Sequence, residues 1–198
     1  MSSLLKYSAK TENINKVSDC IISEYNNIIL IKEKKNEIEI PKITPLELQK
    51  YLYYVQGITL AVYGIPAFEN DIKAWSYGPV VEEIYHKYKE NKGKEIKDYK
   101  EINISKGIKE IIKKVVSGYG KYTGYQLIDL THEEEPWKTT NHDDVIDKNL
   151  IKTYFERVYD INRDDFYSMV NIQRLKRAIK DLDNGKGKIH ELIEVEDE

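Results

Sequence analysis

Cysteine is nearly absent: the 198-residue chain has one, Cys20. A lone thiol excludes an internal disulfide framework and a thiolate zinc cluster, and it fits a reducing, cytoplasmic setting. Arginine is scarce, only Arg157, Arg163, Arg174 and Arg177 among 31 basic residues, and 34 acidic residues bring the net charge to −3. That balance excludes a wholesale basic nucleic-acid binder. Uninterrupted apolar runs are missing as well. The richest stretch, Leu46 to Val62, is broken by Gln49, Gln56, Gly57 and Thr59 and stops at Gly64 and Pro66, so it reads as a buried helix and not a membrane span. The opening Met1-Ser2-Ser3-Leu4-Leu5-Lys6 soon turns polar, and no secretory leader is expected there.

Phenylalanine is rare, with 3 residues, whereas tyrosine reaches 16. Two explanations compete: an AT-rich coding bias, which also favours Lys, Ile and Asn, and an aromatic recognition surface with polar tips. Tyrosines outside any motif, such as Tyr7, Tyr99 and Tyr119, read as the former.

The apolar spacing predicts a mainly α protein. A helix is expected over 12–37, on Val17, Ile21, Tyr25 and Ile28. A second starts at the capping box Thr44-Pro45-Leu46-Glu47 and runs to Tyr63. Residues 68–77 read as a short strand or hairpin arm, ended by Gly78-Pro79, which is expected to open a helix over 79–91. Further helices are expected near 104–117, after Thr123, over 148–159 and over 163–183, with a loop around Pro136 and Asn141–Asp144. The division is a domain over 12–158 and a C-terminal helix with an acidic tail over 159–198.

Catalytic patterns fail one by one. His132-Glu133-Glu134-Glu135-Pro136 cannot form the helical His-Glu-x-x-His zinc pair, because proline follows where the helix must continue. His132, Glu133, His142 and Asp143 could converge on a metal only through folding that their spacing does not supply. Gly118, Gly120 and Gly124 have the wrong spacing for a nucleotide loop. Cys20 has no neighbouring histidine to activate it. The expectation is a non-enzymatic protein without a cofactor.

Three stretches carry a more specific signal. They are Ile43-Thr-Pro-Leu-Glu-Leu-Gln-Lys-Tyr-Leu-Tyr-Tyr-Val-Gln-Gly57, then Ala74-Trp75-x-Tyr77-Gly78-Pro79-Val80 with Tyr85 beyond it, then Leu127-x-x-Leu130-Thr131-His132-x-x-x-Pro136-Trp137. In this order they resemble the Panacea antitoxin domain, the group that includes SocA-like antitoxins and phage-associated GepA proteins. The resemblance implies a mainly helical domain with a short β element, no catalysis, and neutralisation of a cognate protein toxin by direct binding. For SocA-like members it also implies an adaptor role that delivers the toxin to a Clp protease, an alternative that stays open. The positions carrying it are Gln49, Tyr53, Gln56, Trp75, Tyr77, Gly78, Pro79, Val80, Tyr85, His132 and Trp137, whose role is either to hold the domain together or to contact the toxin.

Gln49 and Gln56 lie two helical turns apart and share one face of the apolar helix. Buried there, their amides need partners, expected in the backbone of the Trp75–Pro79 corner or in His132. Beyond 159, Met169, Ile172, Leu175, Ile179 and Leu182 form an apolar stripe opposite Arg174, Lys176, Arg177 and Lys180, followed by a tail with five acids from Glu191 to Glu198. This extension either contacts the toxin or docks on its own domain. A DNA-binding regulator is the rival function, resting on 11 lysines against 5 acids over 87–121. That region lacks arginine, which weakens base readout.

Overall fold

A computed structural model describes residues 6–36, 42–100 and 102–158. Helix α1 (Ile14–Asn36) is followed by α2 (Pro45–Tyr63), a two-stranded hairpin of β1 (Lys73–Trp75) and β2 (Gly78–Val80), and α3 (Glu82–Tyr88). A single 3-10 turn, Lys89–Asn91, leads on to α4 (Lys106–Tyr119), α5 (Gly124–His132), α6 (Glu135–Lys138) and α7 (Lys148–Val158). The fold is mainly α, with the hairpin as its β element.

Everything packs around α2. Its start is set locally: the Thr44 side chain accepts from the Glu47 amide, the Glu47 carboxylate accepts from the Thr44 amide at 2.8 Å, and Pro45 occupies a position where its missing N–H costs nothing. Every residue from Leu48 to Val62 is buried. Helices α1, α4, α5 and α7 and strand β2 all lie against it. Thr123 and Gln126 form a second capping box at the start of α5.

Tyrosine builds much of this core. Tyr54 stacks on Tyr119 with ring centroids 4.0 Å apart, and Tyr53 meets the edge of Phe155 at 5.5 Å. Tyr51 packs on Tyr25 at 5.8 Å. Tyr119 is therefore a core residue and not a by-product of composition. Flat rings stacking at van der Waals distance contribute beyond their buried area.

The hairpin differs from the sequence expectation. Residues 68–72 are not strand, and Gly78-Pro79-Val80 forms β2 where a helix start was expected. Gly78 takes a left-handed φ of +95°, the conformation that lets a chain leaving Ser76-Tyr77 turn back on itself. Helix α3 then begins only at Glu82 and ends at Tyr88, shorter than the 79–91 expected. Pro136 lies not in a loop but in the single turn of α6. The reading of a helix over 163–183 falls on residues outside the described ones.

Candidate functional site: a pinned hairpin and the groove beside it

Each polar group that α2 brings to the hairpin has a backbone partner. Gln49 accepts from the Val81 amide at 2.8 Å and donates to the Val81 carbonyl at 3.3 Å. Two turns on, Gln56 accepts from the Ala67 and Phe68 amides at 2.8 and 3.3 Å and donates to the Phe68 carbonyl at 3.0 Å. One face of one helix thus holds both ends of the segment 67–81. The partners differ from those expected: they flank the Trp75–Pro79 corner, and His132 is not among them.

Between the two glutamines lies Lys50, fully buried, which sequence reasoning missed. Its amine donates to the Pro79 carbonyl at 3.3 Å and has no ion pair among the described residues. Removal from water disfavours the charged form and pulls its pKa down from 10.5 to about 7. The strand register explains the placement. Ala74 faces Pro79 across the hairpin, and both turn their backbone groups outward. On β1 those groups are met by the segment 143–145, with Ala74 N donating to Asp144 O at 3.0 Å and Asp143 N donating to Ala74 O at 2.8 Å. On β2 proline supplies no N–H, and Lys50 takes the remaining carbonyl. Both edges of the hairpin are closed to a further strand.

The same packing requires glycine at 78. A Cβ there would sit 2.6 Å from Lys50 Nζ and 2.8 Å from Thr131 Oγ1, on a backbone whose φ already disfavours a side chain.

The outer side is aromatic. The Trp75 ring meets the edge of Tyr85 at 4.9 Å, and its Nε1–H donates to Asp143 Oδ1 at 2.9 Å. Its backbone carbonyl accepts from Trp137 Nε1 at 3.0 Å, and the Trp137 ring stacks on His132 at 3.7 Å. Ser76 Oγ and His142 Nε2 are 3.0 Å apart. In front of these residues lies a groove of about 550 Å³. Pro45, Leu46 and Gln49 of α2 line one wall, and Trp75, Ser76, Tyr77 and Val80 line the hairpin wall. Tyr85, Tyr88, Lys89 and Gly93, and His142 and Asp143, complete its lining. Tyr85 is 39% exposed despite its size.

The expected site residues thus divide. Gln49, Trp75, Tyr77, Val80, Tyr85, His132 and Trp137 meet around the hairpin with Gly78 and Pro79, whereas Gln56 holds its far end. Tyr53 faces the core, packed on Phe155 with Glu134 near its hydroxyl. Lys50, His142 and Asp143 belong to the corner without having been expected there. The four residues weighed as metal ligands do not assemble: His132 lies on Trp137, while His142 and Asp143 engage the hairpin. Among the described residues no group of three or more His, Cys, Asp or Glu side chains could hold a metal ion. Burial, with Glu24 adding to it, pushes the Cys20 thiol up to about 11, which makes it a poor nucleophile. No described helix is long and apolar enough to cross a membrane.

Residues 48–138 match the family model of the SocA-like antitoxin Panacea domain. The match spans α2 to α6 and leaves α1, α7 and, of the groove lining, His142 and Asp143 outside. No curated protein and no solved structure matches the chain.

Proposed function

From a chain that carries a SocA-like Panacea domain over residues 48–138, we propose an antitoxin that neutralises a cognate protein toxin by direct contact, without catalysis and in the cytoplasm. The observation that supports it most is the groove, most of whose lining falls within that span. Two polar pairs in it are made within the chain, Asp143 with Trp75 and His142 with Ser76. What it offers a partner is aromatic surface, the kind that dominates protein interfaces. With both hairpin edges closed, a toxin docks by side chains into the groove and not by adding a strand. The lysine-rich region gives the DNA-binding rival less support, since Lys87, Lys109 and Lys113 make ion pairs with Asp19, Glu24 and Glu110.

The test is genetic and biochemical. A small neighbouring reading frame should be lethal when expressed alone and tolerated when this chain is co-expressed, and the two products should copurify. A neighbour that is harmless alone, or rescue without copurification, overturns the reading. Shortening of the toxin's half-life by this chain would identify the Clp-adaptor variant of the same function.

A further inference from the structure

We infer that Lys50 is a proton-operated latch: when its buried amine takes up a proton from solvent, β2 is driven off α2, so the hairpin and the groove wall it carries loosen as the pH falls. The inference rests on the corner beneath the hairpin and is independent of the antitoxin reading.

A lysine without exposed surface is rare unless an acid pairs with it. Lys50 has no exposed surface, and its amine makes one hydrogen bond, to the Pro79 carbonyl at 3.3 Å. A neutral amine is satisfied by that single bond. An ammonium brings three N–H donors and a full charge, which burial penalises unless water or a counter-ion answers it. Thr131 Oγ1, beside the same Gly78, gives its own proton to the Ile128 carbonyl and supplies no charge.

The ionisable groups around the corner do not supply it either. On α2, Glu47 is held in the Thr44 cap, and Tyr53 and Tyr54 are core rings. Helix α5 carries Asp129 and His132, α6 is preceded by Glu134, and β1 carries Lys73, paired with Glu82. Strand β2, Gly78-Pro79-Val80, carries none. No ion pair reaches Lys50 among the described residues, and burial alone pulls its pKa down.

The ammonium therefore gains water only if β2 lifts. Two polar ties join that strand and Val81 to α2, Lys50 to Pro79 and Gln49 to Val81, and lifting breaks both. The outer ties of the hairpin, to the segment 143–145 and to Trp137, do not involve α2. Gln49 and Val80 both line the groove, so its shape changes when they part.

Once in water, the amine keeps its proton up to the ordinary lysine range, whereas the latched amine keeps it only up to about 7. Between these limits opening takes up one proton. The opening constant then rises about tenfold for each unit the pH falls, and levels off below 7.

Hydrogen exchange of the Val81 amide, which donates to Gln49 Oε1 at 2.8 Å, reads the latch in the full-length protein. Exchange from an open state is base-catalysed and slows about tenfold per unit as the pH falls, so the two dependences cancel. Between pH 7 and 8.5 the wild-type Val81 amide should exchange at a rate independent of pH. It should also exchange faster than the slowest amides of α2, which wait for global unfolding. In Lys50→Met, which keeps every histidine, the Val81 rate should rise about tenfold per pH unit. Should Lys50→Met fail to fold, Lys50→Leu takes its place. A tenfold rise per unit in the wild type overturns the inference, and so does a flat profile in both proteins. A Val81 rate equal to that of the slowest α2 amides also overturns it, because the hairpin would then open only with the whole chain.

Discussion

On its inner side the hairpin rests on α2, where Gln49, Lys50 and Gln56 are buried and every one of their hydrogen bonds goes to the backbone of residues 67–81. On its outer side Trp75 and Tyr85 put two large rings edge to face at a groove open to solvent. The same short motif thus has one face whose polar groups serve shape and another whose aromatic groups stand at an open groove, where the proposed function places recognition. Buried polar groups tolerate few alternatives, because each lost bond strands a desolvated partner. Exposed rings can be changed with little harm to the fold. The separation can be challenged from both sides, and the inner side should give the larger effects.

The largest is expected at Gln56. Replacing it with leucine keeps the volume but strands two amides and a carbonyl, those of Ala67 and Phe68, away from water. A loss of about 3 kcal/mol follows, seen as a lower urea midpoint with an unchanged slope. Gln49→Leu strands only the two backbone groups of Val81 and should cost less. If Gln56→Leu unfolds at the wild-type midpoint but abolishes toxin binding, the inner face is not structural and the comparison fails.

The reason Gln56 matters was partly legible in the sequence. Its spacing from Gln49 showed a shared helix face, and Thr44 with Glu47 announced the helix itself, because capping is decided by residues three apart. The strand β2 was not legible. Three residues containing a proline carry no strand signal, and what makes them a strand lies far off: Lys50 beneath Pro79 and the segment 143–145 across β1. Lys50 was missed for a related reason, since a lone lysine in a helix ordinarily marks its wet side. Tyr119 was read as composition because its partner, Tyr54, is distant in sequence.

Lys50 provides a middle-sized effect with a sign. In the unfolded chain its amine keeps its proton up to the usual lysine range, whereas in the folded chain burial lets it go at about 7. Above pH 7 the unfolded state therefore binds more protons, and stability contributed by this group rises with pH. Between pH 7 and 8.5, before the buried Cys20 thiol and the tyrosines act in the opposite direction, the gain is about 1–2 kcal/mol. Lys50→Met keeps the packing and removes the titrating group, so its unfolding midpoint should lose that rise. An unchanged pH dependence in Lys50→Met would show that the amine reaches water and that the corner is looser than its burial implies.

The smallest effect on the fold, and the one that bears most on function, is expected at Tyr85. Its neighbours Ile84 and Tyr88 anchor α3 in the core, so Tyr85→Ala removes a partly exposed ring that meets Trp75 and His86 edge to face. The unfolding midpoint should move by less than about 1 kcal/mol. If the proposed function holds, binding to a cognate toxin should nevertheless weaken by about 30-fold, the usual consequence of deleting an aromatic anchor from an interface. The pairing of these two numbers is what separates the faces. A variant that loses stability and binding in proportion would place Tyr85 with Gln56 as part of the scaffold. One that keeps both would move the toxin's contact away from the groove, and leave the closed hairpin edges to explain the fold alone.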